Sequence, residues 1–462
     1  METAYDFVVI GGGSAGYAAA STARQWTDRV AVVDDSAELG GLCILRGCMP
    51  SKTLIYSAEV LHLAQHAEKF GLKIPQAAAD MAAIHQRKLH WINDFKSGRQ
   101  ENLESDKYAL YRQKGRFTAE NQFTLEDGTV LTSERFVVAT GSVVNWPPAP
   151  GLKEAKGVWT SDDVLDLDFL PESVIVLGGG VIACELAQFL NRMGSKVTMI
   201  QRSQQVLTGT PKEMVEVIEK AFRDEGIDLI TGTDLTRIEN TDEGFCVSYN
   251  CDDGECVVEA KHLFNALGRR PNSTGLGLEE VGVELGPKGH IVKDEACQTA
   301  NPRIHAAGDV TGPEEIVHLA GMQGTISAQH AFGKAYQPIN YDHVTRVVFT
   351  DPQLAKVGLT DAQIKERGID YLTASYPFND HGKSLLMEAH YGFVKVSARR
   401  DTGQILGAEC VGKDASELIH CLAPGVACGL TVHDLLKVHW YHPTLAEIWE
   451  YPLEEIAEEL SN

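Results

Sequence analysis

The sequence lacks several things that would point away from a small-molecule enzyme. In 462 residues there is no apolar run of the roughly 20 residues that crosses a bilayer. The first buried-strand pattern, Tyr5 to Ile10, starts too early to leave room for a signal or transit peptide, so a cytoplasmic location is expected. Positive charge is short: 41 Lys and Arg stand against 64 Asp and Glu, a net charge of −23. That balance repels nucleic acid and anionic membrane surfaces, and it suits small molecules or a basic partner surface. Ten cysteines are too few and too scattered for a secreted disulfide framework. What remains is an ordinary globular composition, 44% hydrophobic and 23% charged, in a chain long enough for two to four domains.

The chain opens with a buried-strand run, Phe7 to Ile10, that ends in Gly11-Gly12-Gly13-Ser14-Ala15-Gly16. An Ala-rich helical stretch follows to about Gln25, then a strand from Val30 to Val33 closing on Asp34. This is the order of a dinucleotide fold. Gly11 makes the tight turn, Gly13 lets backbone approach a pyrophosphate, and Gly16 seats the helix on the strand. The helix start offers N–H groups to phosphate, and Asp34 offers a carboxylate to two ribose hydroxyls.

Directly after it comes Gly40 to Lys52, GGLCILRGCMPSK, with Cys43 and Cys48 around Gly47. In an undistorted helix these positions diverge; with the backbone relaxed at Gly47 the two sulfurs can close a small ring that also opens easily. Spacing alone suits two inert thiols or half a metal site equally well.

Helical spacing recurs from Thr53 to about Leu63 and from Met81 to Leu103. Strand-like pieces follow at Phe123 to Leu125 and Arg135 to Ala139, the second ending in Thr140-Gly141-Ser142. Pro147, Pro148 and Pro150 mark a boundary. The opening pattern then repeats: strand Val174 to Leu177, turn Gly178-Gly179-Gly180-Val181-Ile182-Ala183, helix Cys184 to Met193, strand Val197 to Ile200. Two such folds imply two nucleotides. A nicotinamide passing electrons to a flavin, and the flavin to a disulfide, is the simplest circuit that uses all three features.

Farther on, Phe264 to Gly268 leads into Arg269-Arg270-Pro271-Asn272, and Arg303 to Val310 reads RIHAAGDV. From Asn340 the pattern becomes alternating strands (Val344 to Phe349, Phe393 to Ala398, Ile405 to Val411). Helical stretches follow at Ala415 to Ala423 and Thr431 to Val438, then His439 to Glu447 and an acidic helix. We read this part as a separate α+β domain. Cys246, Cys251 and Cys256 flank a turn at Asp252-Asp253-Gly254, and strand alternation does not put all three on one face, so no metal site is expected. Cys184, Cys297, Cys410, Cys421 and Cys428 read as small buried hydrophobes.

In this order the motifs resemble those of the FAD-dependent pyridine nucleotide–disulfide oxidoreductases, the family of dihydrolipoyl dehydrogenase, glutathione reductase and mercuric reductase, over nearly the whole length. The resemblance implies an α/β protein with two Rossmann-like domains and a C-terminal α+β dimerisation domain. The segments are 1–150 (FAD, with the redox disulfide), 151–272 (NAD(P)), 273–339 (FAD, return segment) and 340–462 (interface). It implies that Cys48 faces the flavin and Cys43 attacks the substrate disulfide. Lys52 would lie near the flavin, paired with Glu185. Asp309 would hold the ribityl chain, with Gly41, Thr140, Gly141 and Val317 also around FAD. Gly178, Gly180, Val181, Ile182 and Gly268 would serve the nicotinamide nucleotide. His442, oriented by Glu447, would be the base for the partner subunit's site, which implies a homodimer. A thiolate nucleophile beside an imidazole that takes its proton is sound chemistry in its own right.

Absences narrow the substrate within the family. No cysteine follows Glu447, unlike mercuric reductases and the large thioredoxin reductases. The arginines by which glutathione reductases grip their substrate are replaced by Ser21 and, near the second position, Thr325. A neutral lipoyl-like disulfide, on a carrier protein or free, is the expectation, although Tyr441 stands where dihydrolipoyl dehydrogenases have a small residue. The alternatives are a reductase of metal ions, quinones or another small disulfide, and a non-catalytic flavin-binding sensor. For the nicotinamide, Asp34 lies 23 residues after Gly11, and the same count from Gly178 lands on Gln201, followed by Arg202. Without an acid to repel a 2′-phosphate, and with a guanidinium to meet it, NADPH is expected over NADH.

Overall fold

The computed structural model describes residues 2–252, 254–312 and 314–461. It divides into two compact units. One comprises Met1–Thr53, Ala82–Asn145 and Gly268–Ile339; the other comprises Leu54–Met81, Trp146–Leu267 and Asn340–Asn462.

The first unit is built on a five-stranded parallel sheet in the order Ile304–Ala306, Phe136–Val138, Phe7–Ile10, Val30–Val33, Ala109–Tyr111. Its strands are buried on both faces, which is why they read as unbroken apolar runs. Phe7, Val9, Val30 and Val32 pack with Ala15, Ala19 and Ala20 of the helix Ser14–Ala23 and Ala328 of the helix Val317–Ala331. Val8, Ile10, Ala31 and Val33 pack instead with Phe117, Phe123 and Leu131 of a small second sheet, ordered Glu2–Ala4, Val130–Thr132, Gln122–Leu125, Gly115–Ala119. The small residues of the two helices allow a close crossing: a Cβ on Gly324 would stand 2.1 Å from the Ala15 carbonyl oxygen.

The second unit contains a four-stranded parallel sheet, His262–Asn265, Ser173–Leu177, Lys196–Gln201, Asp228–Thr231. A three-stranded antiparallel sheet, Leu235–Thr241, Gly244–Cys251 and Gly254–Ala260, packs Ile238, Phe245 and Val247 against its Ile175, Leu177 and Leu263. The remainder, from Asn340, is a five-stranded antiparallel sheet with helices on its core face. Two of its strands, Gln353–Gly358 and Tyr371–Pro377, go beyond the three read from sequence. The chain is therefore a mixed α/β protein with two Rossmann-type folds and a C-terminal α+β part.

Three local readings are corrected. The stretch Ala415 to Ala423 is not one helix: Ala415–Leu418 passes through a 3-10 turn, Ile419–Cys421, before Ala423–Cys428. Cys428 is exposed and Cys421 half-buried, because they fall on these short turns and not on a continuous buried face. Cys251 and Cys256 form a disulfide. Alternation along a single strand is no guide here, since the two lie on opposite strands of one hairpin, with Cys251 opposite Gly254 and Cys256 opposite Tyr249. Asp253 of the turn lies outside the described residues.

Candidate functional site

Each glycine turn starts a helix with no side-chain cap among the described residues. Gly13 precedes Ser14–Ala23 and Gly180 precedes Val181–Met193, in both cases with no side-chain cap and no acid in the first turn. The amides of those first turns are placed to donate to an anion. In the first fold Asp34 Oδ2 accepts from the Gly12 amide at 2.6 Å, which fixes the carboxylate at the strand end beside the turn. Gly16 is required for closeness: a Cβ there would sit 1.8 Å from the Gly11 carbonyl oxygen. Gly41 adjoins the same turn, and a Cβ on it would be 2.5 Å from Gly13 Cα. This glycine-lined cradle fits a pyrophosphate and could not hold larger residues.

The start of the cysteine segment is thus seated on the phosphate turn. Gly41–Arg46 is a short helix, Cys48 begins the next helix, Cys48–Gln65, and Gly47 between them breaks the helical path at φ −137°, ψ −115°. The break brings the two cysteines together, both as free thiols in this structure. The hydrogen bond to Cys48, then burial, push the Cys43 thiol up, and the Lys52 charge pulls the other way.

Around the return segment, Ser142 Oγ donates to Asp309 Oδ2 at 2.8 Å and accepts from Arg269 Nε at 2.8 Å. The Gly308 amide donates to buried Gln323 Oε1 at 2.7 Å. Burial and the Asp309 charge raise the Glu315 carboxyl above its usual range. Thr140 Oγ donates to the Asn272 carbonyl at 2.7 Å, and the Asn272 amide donates to Gly141 O at 2.9 Å. Gly268 O accepts from the Asn145 amide at 3.0 Å. Val317, at the start of its helix, is exposed. Sequence reading missed Arg269 and Gln323 as orienting groups; the arginine beside the second dinucleotide fold's exit was the available signal.

In the second fold the ribose-end position holds Gln201, whose amide reaches toward Gln205 O (3.5 Å) and Thr208 Oγ (3.4 Å). Arg202 beside it is exposed. Val181 is exposed and Ile182 half-buried at the helix start. Glu185 on that helix is buried, accepts from the Phe349 amide at 2.9 Å, and lines a small cleft with Arg192 and Lys413.

Near the C-terminus the imidazole of His442 is 78% exposed while the carboxylate of Glu447 is only 6% exposed. His442 Nδ1 lies 3.0 Å from both oxygens of Glu447, so Nε2 is the nitrogen left to work. Glu447 sits in a 3-10 turn, Ala446–Trp449, anchored by buried Trp449, whose Nε1 donates to Leu418 O at 3.0 Å. A second histidine, absent from the sequence reading, shares the carboxylate: buried His381 has Nε2 3.4 Å from Glu447 Oε1. Burial holds His381 below the usual histidine pKa. Among the described residues there is no cluster of metal-ligating side chains and no helix long and apolar enough to cross a membrane.

Residues 5–331 match the pyridine nucleotide-disulphide oxidoreductase family, and residues 344–452 match that family's dimerisation domain. The chain belongs to this family of FAD-binding, NAD(P)H-using flavoproteins. It is 35% identical over 444 residues to a mercuric reductase of Bacillus cereus, covering 96% of this chain and 70% of that one. It is 31% identical over 444 residues to a dihydrolipoyl dehydrogenase of Geobacillus stearothermophilus, covering 96% and 94%. Among solved structures, LpdA of Mycobacterium tuberculosis superposes with a TM-score of 0.87 at 29% identity, covering 98% of this chain and 99% of that one.

Proposed function

We propose that this chain carries two electrons between NAD(P)H and a disulfide or dithiol substrate through Cys43 and Cys48. The observation that supports it most directly is the thiol pair, in contact across the Gly47 break and seated on the dinucleotide turn. Bound FAD would supply the two-electron link between nicotinamide and cysteines; Gly11 to Gly16, Asp34, Gly41, Lys52, Thr140, Gly141, Asp309 and Val317 are the residues to hold it. The Cys43 thiolate attacks one sulfur of the substrate, its S–S bond breaks, and one thiolate leaves with a proton from His442. Cys48 then displaces the second thiolate as the Cys43–Cys48 bond forms. NAD(P)H restores the dithiol, so the balance is RSSR + NAD(P)H + H⁺ → 2 RSH + NAD(P)⁺.

Likeness to dihydrolipoyl dehydrogenases puts a lipoyl group, free or on a carrier protein, first among substrates to test. A metal ion as acceptor is the second reading, favoured by the mercuric reductase relative. We take the active form as a homodimer in which His442 serves the other subunit's cysteines. Exposed Leu386, Val438 and Tyr441 give the C-terminal part an apolar surface for such a contact, and the domain division read from sequence is carried into this proposal. On the nicotinamide side, Gln201 and Arg202 favour NADPH.

The test is reduction of lipoamide, small disulfides, Hg(II) and quinones by each nicotinamide. His442→Ala should cut disulfide turnover by roughly 10²–10⁴-fold, leaving reduction of the flavin by nicotinamide in place. Mixing Cys43→Ser with His442→Ala chains should restore part of the activity; inactive mixed dimers after verified exchange would count against the shared site.

A further inference from the structure

The chain carries a net charge of −23, yet half-buried Arg99 has no carboxylate partner among the described residues. Arg99, on the helix Met81–Leu103, places its guanidinium carbon 3.9 Å from the centre of the Tyr17 ring. Tyr17 follows Gly16 on the first dinucleotide helix. Nη1 of Arg99 is shut off from solvent and has no hydrogen-bond partner, and no carboxylate pairs with Arg99 among the described residues. The thiol whose charge Arg99 senses is Cys43, and burial is the main influence on its own protonation.

A guanidinium keeps its charge and carries several donors, so burying it without an acceptor is costly. The same chain shows the usual remedy at Arg192, which is buried against Glu225 (2.6 Å) and Asp351 (2.9 Å). Arg99 has no such partner, and stacking on an aromatic ring fixes its plane without supplying an anion. The anion is therefore to be sought outside the chain, beside the thiol that meets the substrate.

We infer that Arg99 is a specificity residue that binds a carboxylate of a low-molecular-weight disulfide while Cys43 attacks its sulfur. The inference rests on the disulfide-reductase reading and selects within it. A lipoyl amide has no acid to offer, whereas a small acid-bearing disulfide does. It also replaces the loss of arginines at Ser21 and Thr325 with an anion contact from a different helix, and so reverses the expectation of a neutral substrate.

Two measurements separate this inference from the activity it rests on. The first needs no turnover: alkylation of Cys43 in the reduced holoenzyme by iodoacetate and by iodoacetamide, followed by peptide mass spectrometry. Arg99→Gln should lower the iodoacetate-to-iodoacetamide rate ratio by roughly tenfold, and Arg99→Lys should retain most of it. The second is kcat/KM for 3,3′-dithiodipropionate against its diamide, which differ in charge and hardly in shape. The wild type should favour the acid by roughly ten- to hundredfold, expressed mainly in KM, and Arg99→Gln should collapse the ratio. FAD content and thermal midpoint report whether each variant is folded; should Arg99→Gln not fold, Arg99→Lys and the wild-type ratios carry the test. An alkylation ratio unmoved by Arg99→Gln, or a wild type that prefers the diamide, overturns the inference. A shifted alkylation ratio upholds the anion site whether or not either disulfide is reduced; an enzyme that also reduces no disulfide, metal ion or quinone overturns the reductase reading instead.

Discussion

The two dinucleotide folds of this chain follow one plan and differ in detail. In both, the strand after the glycine turn's own strand lies next to it, a third strand lies beyond, and an antiparallel meander precedes the strand that returns to the other side. The turns match closely: Gly11 has φ +104° and Gly178 +112°, and a Cβ on either would collide with the carbonyl of the returning strand, at 2.3 Å from Ala139 O and 2.5 Å from Ala266 O. The differences are the third glycine (Gly16 against Ala183), the ribose-end residue (Asp34 against Gln201), and the cysteine pair. Each fold has cysteines five apart, Cys43 and Cys48 in the first and Cys246, Cys251 and Cys256 in the second. Cys43 and Cys48 are thiols on a helix break at the phosphate turn, and Cys251 and Cys256 are a disulfide across a hairpin. The comparison teaches that spacing confers no chemistry by itself: one pair is seated against the first glycine turn, the other braces the edge of a meander.

The cysteine pairs give the largest expected contrast. Cys43→Ser should abolish disulfide reduction, by more than about a thousandfold, since it removes the nucleophile. Cys251→Ser with Cys256→Ser should leave kcat/KM within about twofold. Steady-state assays of both variants with one disulfide decide it, and equal losses would erase the distinction.

The third glycine comes next. Gly16→Ala forces a Cβ onto the Gly11 carbonyl oxygen, and the strand and helix must part, at a cost of roughly 2–4 kcal/mol with loss of FAD. The reciprocal change, Ala183→Gly, should cost only about 1 kcal/mol, the penalty of glycine in a helix. Urea midpoints and the absorbance of bound flavin are the readouts. Equal effects would mean the two helices sit at the same distance from their strands.

The first fold also has a strand the second lacks, Ile304–Ala306, and it carries buried His305. Its Nε2 lies 2.9 Å from His330 Nδ1, and burial, reinforced by His330 and opposed by Asp294, lowers its pKa from 6.5 to about 4. A depressed folded pKa means that the unfolded chain takes the proton first. The stability this neutral histidine contributes is therefore fully present above pH 6.5 and is lost as pH falls from there toward 4. The loss amounts to at most about 3 kcal/mol. His305→Gln should flatten that part of the stability–pH curve; an unchanged slope would assign it to other groups.

Most of this architecture was legible in the sequence because parallel strands buried on both faces leave unbroken apolar runs, and glycine turns leave a pattern that can be counted. Phe7–Ile10 and Met81–Leu103 fall at the expected residues. The strands Gln353–Gly358 and Tyr371–Pro377 were not read, because each mixes polar with apolar positions beside loops of similar composition. At the candidate site, His442 and Glu447 were legible as a local run, and they do meet. His381 and Arg99 were not, since both reach their neighbours across long stretches of chain, and nothing in the local pattern marks a residue whose partner is distant.

The smallest contrast is at the ribose end, and it is where the two folds should differ in what they choose. Asp34 is tied to the Gly12 amide at 2.6 Å, which leaves a negative charge where, in the proposed FAD site, two ribose hydroxyls would donate and a 2′-phosphate would be repelled. At the equivalent place Gln201 carries no charge. Its side chain is only loosely engaged, at 3.4 and 3.5 Å, and Arg202 is free of ion pairs among the described residues. A phosphate meeting that guanidinium would gain a charge-assisted contact of about 1.5–3 kcal/mol, roughly ten- to hundredfold in affinity, less whatever solvent screens at an exposed side chain. Arg202→Ala should therefore lower kcat/KM for NADPH by about tenfold and leave NADH nearly unchanged. Gln201→Asp, which copies the first fold into the second, should lower NADPH and raise NADH together. Screening makes a further demand: the wild-type preference should shrink as salt rises, because Arg202 lies in solvent while the Asp34 contact does not depend on it. A wild-type NADPH-to-NADH ratio below one, unmoved by either substitution, would mean that the second fold recognises its nucleotide without reading the ribose end.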